Sequence, residues 1–240
     1  MIPAKFYGTI FLYSIIVMTL FAISNLSKQS YTRIKNNGST LGLAIIISIV
    51  LAIFLGSRPI SPLFGDTGAY EWTFRQYQIG AKVYIGDESE WVWAKFVSIC
   101  AQIMDSRTFF ILVDLCYFGF TLWACKKFCS NNVLVAMLFM IGAFSFYTYG
   151  TNGIRNGLAC SITLAAISFL CGPNRRILIA AVLAFCAINI HNSTLLPISV
   201  AVIAYLWIKN FRYAYLFWIL SILILSLIHI SEPTRPLYIS

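Results

Sequence analysis

The chain has 240 residues, of which 60% are apolar and 10% charged, with 17 Lys and Arg against 8 Asp and Glu for a net charge of +9. Together with a mean hydropathy of +0.82, this composition excludes a soluble domain with a wetted surface and describes a polytopic membrane protein. The positive balance has no soluble basic domain behind it, which excludes a nucleic-acid-binding reading.

A spanning helix needs about 20 mostly apolar residues. Such stretches occur at residues 6–24, 41–57, 108–125, 132–150, 153–171, 176–190, 194–208 and 213–228, giving an all-α membrane bundle of about eight predicted spans. Continuous helical runs, in place of alternating ten-residue strands, exclude an outer-membrane barrel. Met1 to Asn25 carries Lys5 ahead of an apolar run, but the run is long and lacks a small-x-small cleavage site, so it reads as a retained helix and not a cleaved signal.

Past the second span come Arg58 and Pro59, then the segment Phe64–Tyr70, FGDTGAY, at the rim of the bilayer. If that segment is helical, Asp66 and Tyr70 share a face, because residues four apart align; otherwise it is an ordinary Asp-Thr-Gly turn beside a headgroup-level tyrosine. Tyr77 to Glu90, with Gly80, Gly86 and several charges, reads as a mobile outer segment. Trp91 to Met104 is apolar but too short to span, and its tryptophans suit an interfacial or re-entrant helix. Asp114 lies deep in the third span, and an acid at that depth is a functional candidate; the sequence names no partner for it. Asn152-Gly153-Ile154-Arg155-Asn156-Gly157 opens the fifth span, with Asn152 placed to cap it. Gly153 and Gly157 have the spacing of a close helix contact. His191-Asn192-Ser193 separates the sixth and seventh spans. The seven cysteines are scattered through apolar segments without metal-type pairing, so neither a metal centre nor a disulfide framework is read from them.

Basic residues resist translocation and mark cytoplasmic loops. Lys28, Arg33 and Lys35, then Lys126 and Lys127, Arg175 and Arg176, and Lys209 and Arg212 occupy every second loop, and none of these loops holds an acid. Asp66, Glu71, Asp87, Glu88, Glu90 and Asp105 lie on the opposite side, mixed with Arg58, Arg75, Lys82, Lys95 and Arg107. The amino terminus, the long loop 58–107, Arg155 and His191 are therefore expected on the non-cytoplasmic face.

Residues 225–235, LSLIHISEPTR, resemble the translation of a sequencing-library adapter. The expected organisation is thus a membrane domain over 1–224, cut short at its carboxyl end, followed by a non-native tail over 225–240.

Asp66-Thr67 followed by Tyr70, then Arg155-Asn156-Gly157-Leu158-Ala159 at a helix start, then His191-Asn192-Ser193 ahead of another apolar helix, resembles the EpsG family of exopolysaccharide polymerases, part of the wider Wzy-type O-antigen polymerase group. The resemblance extends over most of residues 1–224. The family more often carries Gln after the arginine and a basic or variable residue between the His and the Ser, so Asn156 and Asn192 are departures that bear on specificity and leave the reaction class intact. The resemblance implies a multi-pass protein of the bacterial cytoplasmic membrane. It implies a reaction in which polyprenyl-pyrophosphate-linked oligosaccharides are joined on the outer face, with no metal and no cofactor, for exopolysaccharide, capsule or O-antigen synthesis. The implied partners are that lipid-linked oligosaccharide, membrane lipids and other polysaccharide assembly proteins.

Glycosyl transfer from a pyrophosphate needs cationic groups on the leaving oxygens and a base for the acceptor hydroxyl. Arg155, in a first helical turn, offers planar paired donors at the positive end of a helix dipole; an interfacial anchor is the alternative. Arg58 is a second phosphate-binding candidate or another anchor. His191 serves as the base or donates to a phosphate or sugar oxygen. Asp66 is the other candidate base, or else orients His191 or a sugar hydroxyl. Tyr70 is placed to stack on or hydrogen-bond a sugar, with Asn156 and Ser193 as further substrate-binding residues. A lipid-linked oligosaccharide flippase, which calls for polar groups at mid-membrane depth and broken helices, and a non-catalytic membrane scaffold are the competing readings.

Overall fold

The computed structural model describes residues 2–27, 38–81, 90–171, 175–207 and 220. All regular structure among these residues is helical. The order is α1 (Tyr7–Ser27), α2 (Gly38–Gly56), α3 (Thr67–Gln78), α4 (Trp91–Ile103), α5 (Ser106–Phe128), α6 (Val133–Gly142), α7 (Phe144–Thr151), α8 (Ile154–Leu170), α9 (Ile177–Ile190) and α10 (Leu195–Trp207). Short 3-10 turns occur at Ala4–Phe6, Pro62–Phe64 and Asn192–Thr194. The chain divides into two compact units, Met1–Leu196 and Pro197–Ser240, and every candidate site residue lies in the first. The expected span at 213–228, the tail at 225–240, the basic residues Lys28, Arg33, Lys35, Lys209 and Arg212, and most of the outer segment before Glu90 fall outside the described residues.

The all-helical expectation holds, whereas eight full-length spans are not what the described residues contain. Ala4–Ser24 and Ser106–Phe128 are long and apolar enough to cross a membrane. The stretch expected as one span over 132–150 is instead two helices, α6 and α7, bent by 73°. The break falls at Gly142 and Ala143, where Ala143 adopts an extended backbone with ψ 134°. This pair supplies a third span if it is counted as one. Thr40–Gly56, Trp91–Ile103, Ile154–Leu170, Ile177–Ile190 and Asn192–Leu206 are shorter apolar helices. At 1.5 Å per residue the 17 residues of α8 reach about 26 Å, short of the roughly 30 Å of a hydrocarbon core.

Lipid is as apolar as a leucine, so helices in a membrane associate by close van der Waals packing rather than by escaping water. Small residues at the crossings set that packing. A Cβ on Gly56 would stand 2.5 Å from the Cα of Ile111, so α2 meets α5 backbone to backbone at this point. Leu51, Leu55, Phe118, Met137 and Ile141 fill the core between α2, α5 and α6. Beside it, Tyr117 of α5 stacks on Phe146 of α7 at 4.5 Å. A second aromatic group joins the short helices to α5: Phe74 of α3 lies 5.0 Å from Phe109, and Trp93 of α4 lies 5.9 Å from the same ring. Helix α4 buries Trp93, Val97, Cys100 and Ala101 and leaves Trp91, Ile99 and Ile103 exposed, the amphipathic pattern expected of a helix that lies along the bundle instead of crossing it.

Asp114 finds its partner in Arg58. Arg58 Nη1 donates to Asp114 Oδ2 at 3.1 Å with the two side chains 0% and 1% exposed, and to the Leu55 carbonyl at 2.9 Å. The guanidinium also lies 5.0 Å over the Phe110 ring. Arg58 Nε reaches the Thr67 hydroxyl at 3.5 Å, and Thr67 Oγ1 lies 2.9 Å from the Thr151 carbonyl, to which it donates. One buried polar chain thereby connects the end of α2, the start of α3, the middle of α5 and the end of α7. Deleting one member leaves an uncompensated buried charge, so Asp114→Ala is expected to destabilise the protein by about 3–5 kcal/mol. An apolar Arg58→Met/Asp114→Leu double variant should be far less damaged than either single alanine variant, as read by denaturant unfolding in detergent.

Candidate functional site

Three chain segments meet at one end of the first unit, and each is set there by a local backbone feature. In the first segment, Ser61 accepts from the Leu63 backbone N–H at 3.3 Å and opens the Pro62–Phe64 turn. Gly65 follows with φ +53°, a left-handed conformation that glycine adopts without strain. A Cβ there would also stand 2.2 Å from Asn152 Oδ1. That close approach has a purpose, because Asn152 Oδ1 accepts from the Asp66 N–H at 2.8 Å. Asp66 then begins α3, with the Tyr70 N–H donating to the Asp66 carbonyl at 3.0 Å. Asp66 and Tyr70 are thus one helical turn apart, as the helical reading of this segment expects.

The second segment is the α7–α8 junction. Asn152 does not cap α8; Gly153 occupies the N-cap position without a side-chain hydrogen bond, since the Asn152 amide is committed to Asp66. Gly157 lets α7 fold back closely, as a Cβ on it would meet the Tyr149 carbonyl oxygen at 2.8 Å. The spacing of Gly153 and Gly157 therefore serves packing. The turn places Arg155 in the first turn of α8 with its side chain 23% exposed. The third segment is the α9 end, where the Ser193 N–H donates to His191 Nδ1 at 3.1 Å. Ser193 Oγ in turn donates to Asn156 Oδ1 at 3.0 Å, tying this loop to α8.

The residue that joins the second and third segments is Glu90, which the sequence places only among the outer-loop acids. Its side chain is 8% exposed, and its Oε2 pairs with Arg155 Nη1 at 2.5 Å. Its Oε1 accepts weakly from the Asn192 N–H at 3.4 Å. Glu90 sits at the N-cap position of α4 but makes no capping hydrogen bond there; it turns toward α8 and the His191 loop instead. The one signal in the sequence is an acid directly ahead of an amphipathic helix, which ordinarily reads as a cap.

Tyr70 lies within electrostatic reach of Arg155, Asp66 and Glu90 and packs edge-on against Trp93 at 6.1 Å. Burial raises its phenol above the ordinary 10, opposed by the nearby Arg155 guanidinium, so it is a neutral hydroxyl able to donate or accept. Burial also lowers His191 below its ordinary 6.5; the positive charge of Arg155 acts in the same direction and Glu90 opposes it. The imidazole is accordingly neutral at neutral pH. Arg155 Nε is buried without a hydrogen-bond partner.

Asp66, Tyr70, Arg155, Asn156, His191 and Ser193 thus belong to one neighbourhood. Arg58 does not join them. It is enclosed and paired with Asp114 behind the Asp66 segment, joined to that segment through Thr67. Among the described residues no cluster of His, Cys, Asp and Glu has the arrangement to hold a metal ion.

The sequence profile of the EpsG family matches residues 42–233. The chain belongs to the EpsG family. The match runs from within α2 through α10 and covers all three segments of the site. Comparison with curated proteins and with solved structures gave no match. Membership in the EpsG family associates the chain with membranes and with polysaccharide polymerisation.

The Gly65 turn gives the site a steric test. Gly65→Ala is expected to cost about 1–3 kcal/mol and to push Asn152 off Asp66. Gly68→Ala, whose Cβ would meet nothing within 4 Å, should be neutral or stabilising by up to about 1 kcal/mol. Unfolding of the two variants in detergent should separate them.

Proposed function

We propose that this EpsG-family protein is a polysaccharide polymerase of the cytoplasmic membrane. It would join polyprenyl-pyrophosphate-linked oligosaccharide repeat units on the outer face, acting as a glycosyltransferase without a metal ion. The observation that carries this reading is the convergence of Arg155, Tyr70, Asp66 and His191 from three separate chain segments. Arg155 holds the leaving pyrophosphate. Its planar donors match phosphate oxygens, its position at a helix start adds the partial positive charge of that terminus, and its Nε has no partner to surrender. Glu90 balances the guanidinium while no substrate is bound, and the incoming phosphates compete with it. Tyr70 offers a neutral hydroxyl and an aromatic face to a sugar, and Asn156 with Ser193 supplies amide and hydroxyl groups beside it. Asp66 or His191 takes the acceptor hydroxyl proton.

A lipid-linked oligosaccharide flippase is the second reading. The 73° bend between α6 and α7 supports it, because broken helices recur in transporters. Against it stands the pairing of Asp114 with Arg58, which removes the deep acid from duty in a polar pathway.

In a host lacking its own polymerase, the wild-type gene should convert single repeat units into a ladder, and Arg155→Ala should reduce that ladder by at least about 100-fold. A normal ladder from Arg155→Ala at equal expression would overturn the assignment. Loss of the protein should leave repeat units on the outer face; their retention on the inner face would favour the flippase. Single cysteines at positions 66, 155 and 191 should all react with an impermeant thiol reagent added from the outer side.

A further inference from the structure

His191 has two ring nitrogens, and the fold commits one of them. Nδ1 accepts the Ser193 backbone N–H at 3.1 Å as the cap of the Asn192–Thr194 turn, so Nδ1 carries no proton. A neutral imidazole with a bare Nδ1 has its proton on Nε2, because the hydrogen bond made by one nitrogen selects the state of the other. The nitrogen left for a ligand is therefore a donor. The loop that presents it is held at both ends: Thr194 Oγ1 donates to the His191 carbonyl at 2.9 Å, and Ser193 Oγ to Asn156 at 3.0 Å. Turning the ring to expose Nδ1 would strip the Ser193 N–H of its acceptor.

The charged neighbours keep the ring neutral, the state in which this tautomer exists. Arg155 of α8 and burial both disfavour protonation of the ring, Glu90 at the head of α4 favours it, and the net direction is downward. The neutral Tyr70 hydroxyl of α3 lies near the same Arg155 and Glu90. Glu90 is engaged in the unliganded protein by Arg155 and the Asn192 N–H, and keeps the Asn192 N–H as a partner when phosphates displace it from the guanidinium. Asp66 differs: its backbone N–H is pinned by Asn152, and its side chain makes no capping bond to α3.

We infer that His191 acts as a hydrogen-bond donor through Nε2–H to an oxygen of the substrate, and that the carboxylate of Asp66 is the proton acceptor of the site. This deepens the polymerase reading and rests on it. In the transfer step the acceptor sugar hydroxyl oxygen bonds to the anomeric carbon while the bond from that carbon to the phosphate oxygen breaks. The pyrophosphate leaves with the electron pair beside Arg155, and the hydroxyl proton passes to Asp66. The Nε2–H of His191 stabilises negative charge growing on the leaving group and gives up no proton of its own.

Glutamine and asparagine divide the two roles of the ring, since a Gln amide nitrogen reaches the Nε2 position and an Asn amide oxygen stands at the Nδ1 position. His191→Gln is expected to keep ladder formation within about tenfold of wild type and to keep the acid limb of its pH profile. His191→Asn and Asp66→Asn should each lose about 100-fold or more, the scale of a general acid–base contribution. Equal loss of about 100-fold or more in His191→Gln and His191→Asn, with the acid limb abolished in both, would overturn the inference and make His191 the base.

A second measurement does not depend on polymerisation or on the site variants folding. Nitrogen NMR of the ring in full-length, histidine-labelled protein in detergent at neutral pH, with His229→Gln used to assign the signals, should show the proton of His191 on Nε2. A proton on Nδ1 would overturn the inference even where ladders form. An Nε2 proton in a protein whose wild-type form makes no ladder would sink the polymerase reading and leave the donor geometry standing.

Discussion

The salt bridge between Arg58 and Asp114 is the constraint from which the rest of the first unit is built. The two residues are separated by 56 positions and enclosed by apolar side chains, where neither charge is tolerable alone. Their pairing fixes where the chain leaves α2 against the middle of α5. Gly56, two residues earlier, allows the backbones to approach closely enough for the guanidinium to arrive. Because Arg58 also reaches Thr67, the same interaction sets the start of α3 and, through the Thr151 carbonyl, the end of α7. The candidate site is built on those two ends. Arg58 is thus a residue of position, buried one step behind the groups proposed to meet substrate.

Above this foundation the site is held by polar contacts that each cross between chain segments. Asn152 binds the backbone of Asp66, Glu90 binds Arg155 and the backbone of Asn192, and Ser193 binds Asn156. The neutral hydrogen bonds among them are each of modest strength, about 0.5–1.5 kcal/mol, and those to charged groups contribute about 1.5–3 kcal/mol. Together they place a cation, a carboxylate, a phenol and an imidazole side by side. Under the proposed function, the Arg155–Glu90 pair is the one whose balance the substrate changes. An anion arriving at the guanidinium meets a carboxylate already there, so in the proposed reaction phosphate binding and the release of Glu90 are a single exchange. Such an exchange favours a ligand with more than one negative charge, as a pyrophosphate is.

Much of this was legible from residue types and spacing. The helical, membrane-bound class followed from composition; the three rim motifs, in order, carried the resemblance that the EpsG-family match then bore out over residues 42–233. The helical alignment of Asp66 with Tyr70 and the packing role of Gly153 and Gly157 followed from the period of a helix. Other features were not legible. The stretch 132–150 reads as one apolar run because hydropathy does not register the extended Ala143 that bends it. Asn152 reads as a helix cap because a cap is the local use of such a residue, and its distant use by Asp66 depends on the left-handed Gly65 turn. Arg58 reads as a rim cation because the acid that buries it lies on another helix.

By itself the amino-acid sequence determined the helical class, the family and the list of residues with chemistry to offer, since these depend on composition, period and local spacing. Only the tertiary structure decided which charges face one another. It paired Arg58 with Asp114, brought Glu90 to Arg155 and tied Ser193 to Asn156. The reason is that a buried charge takes its state from the partner it meets across the fold, and the distance between helices is written nowhere along the chain.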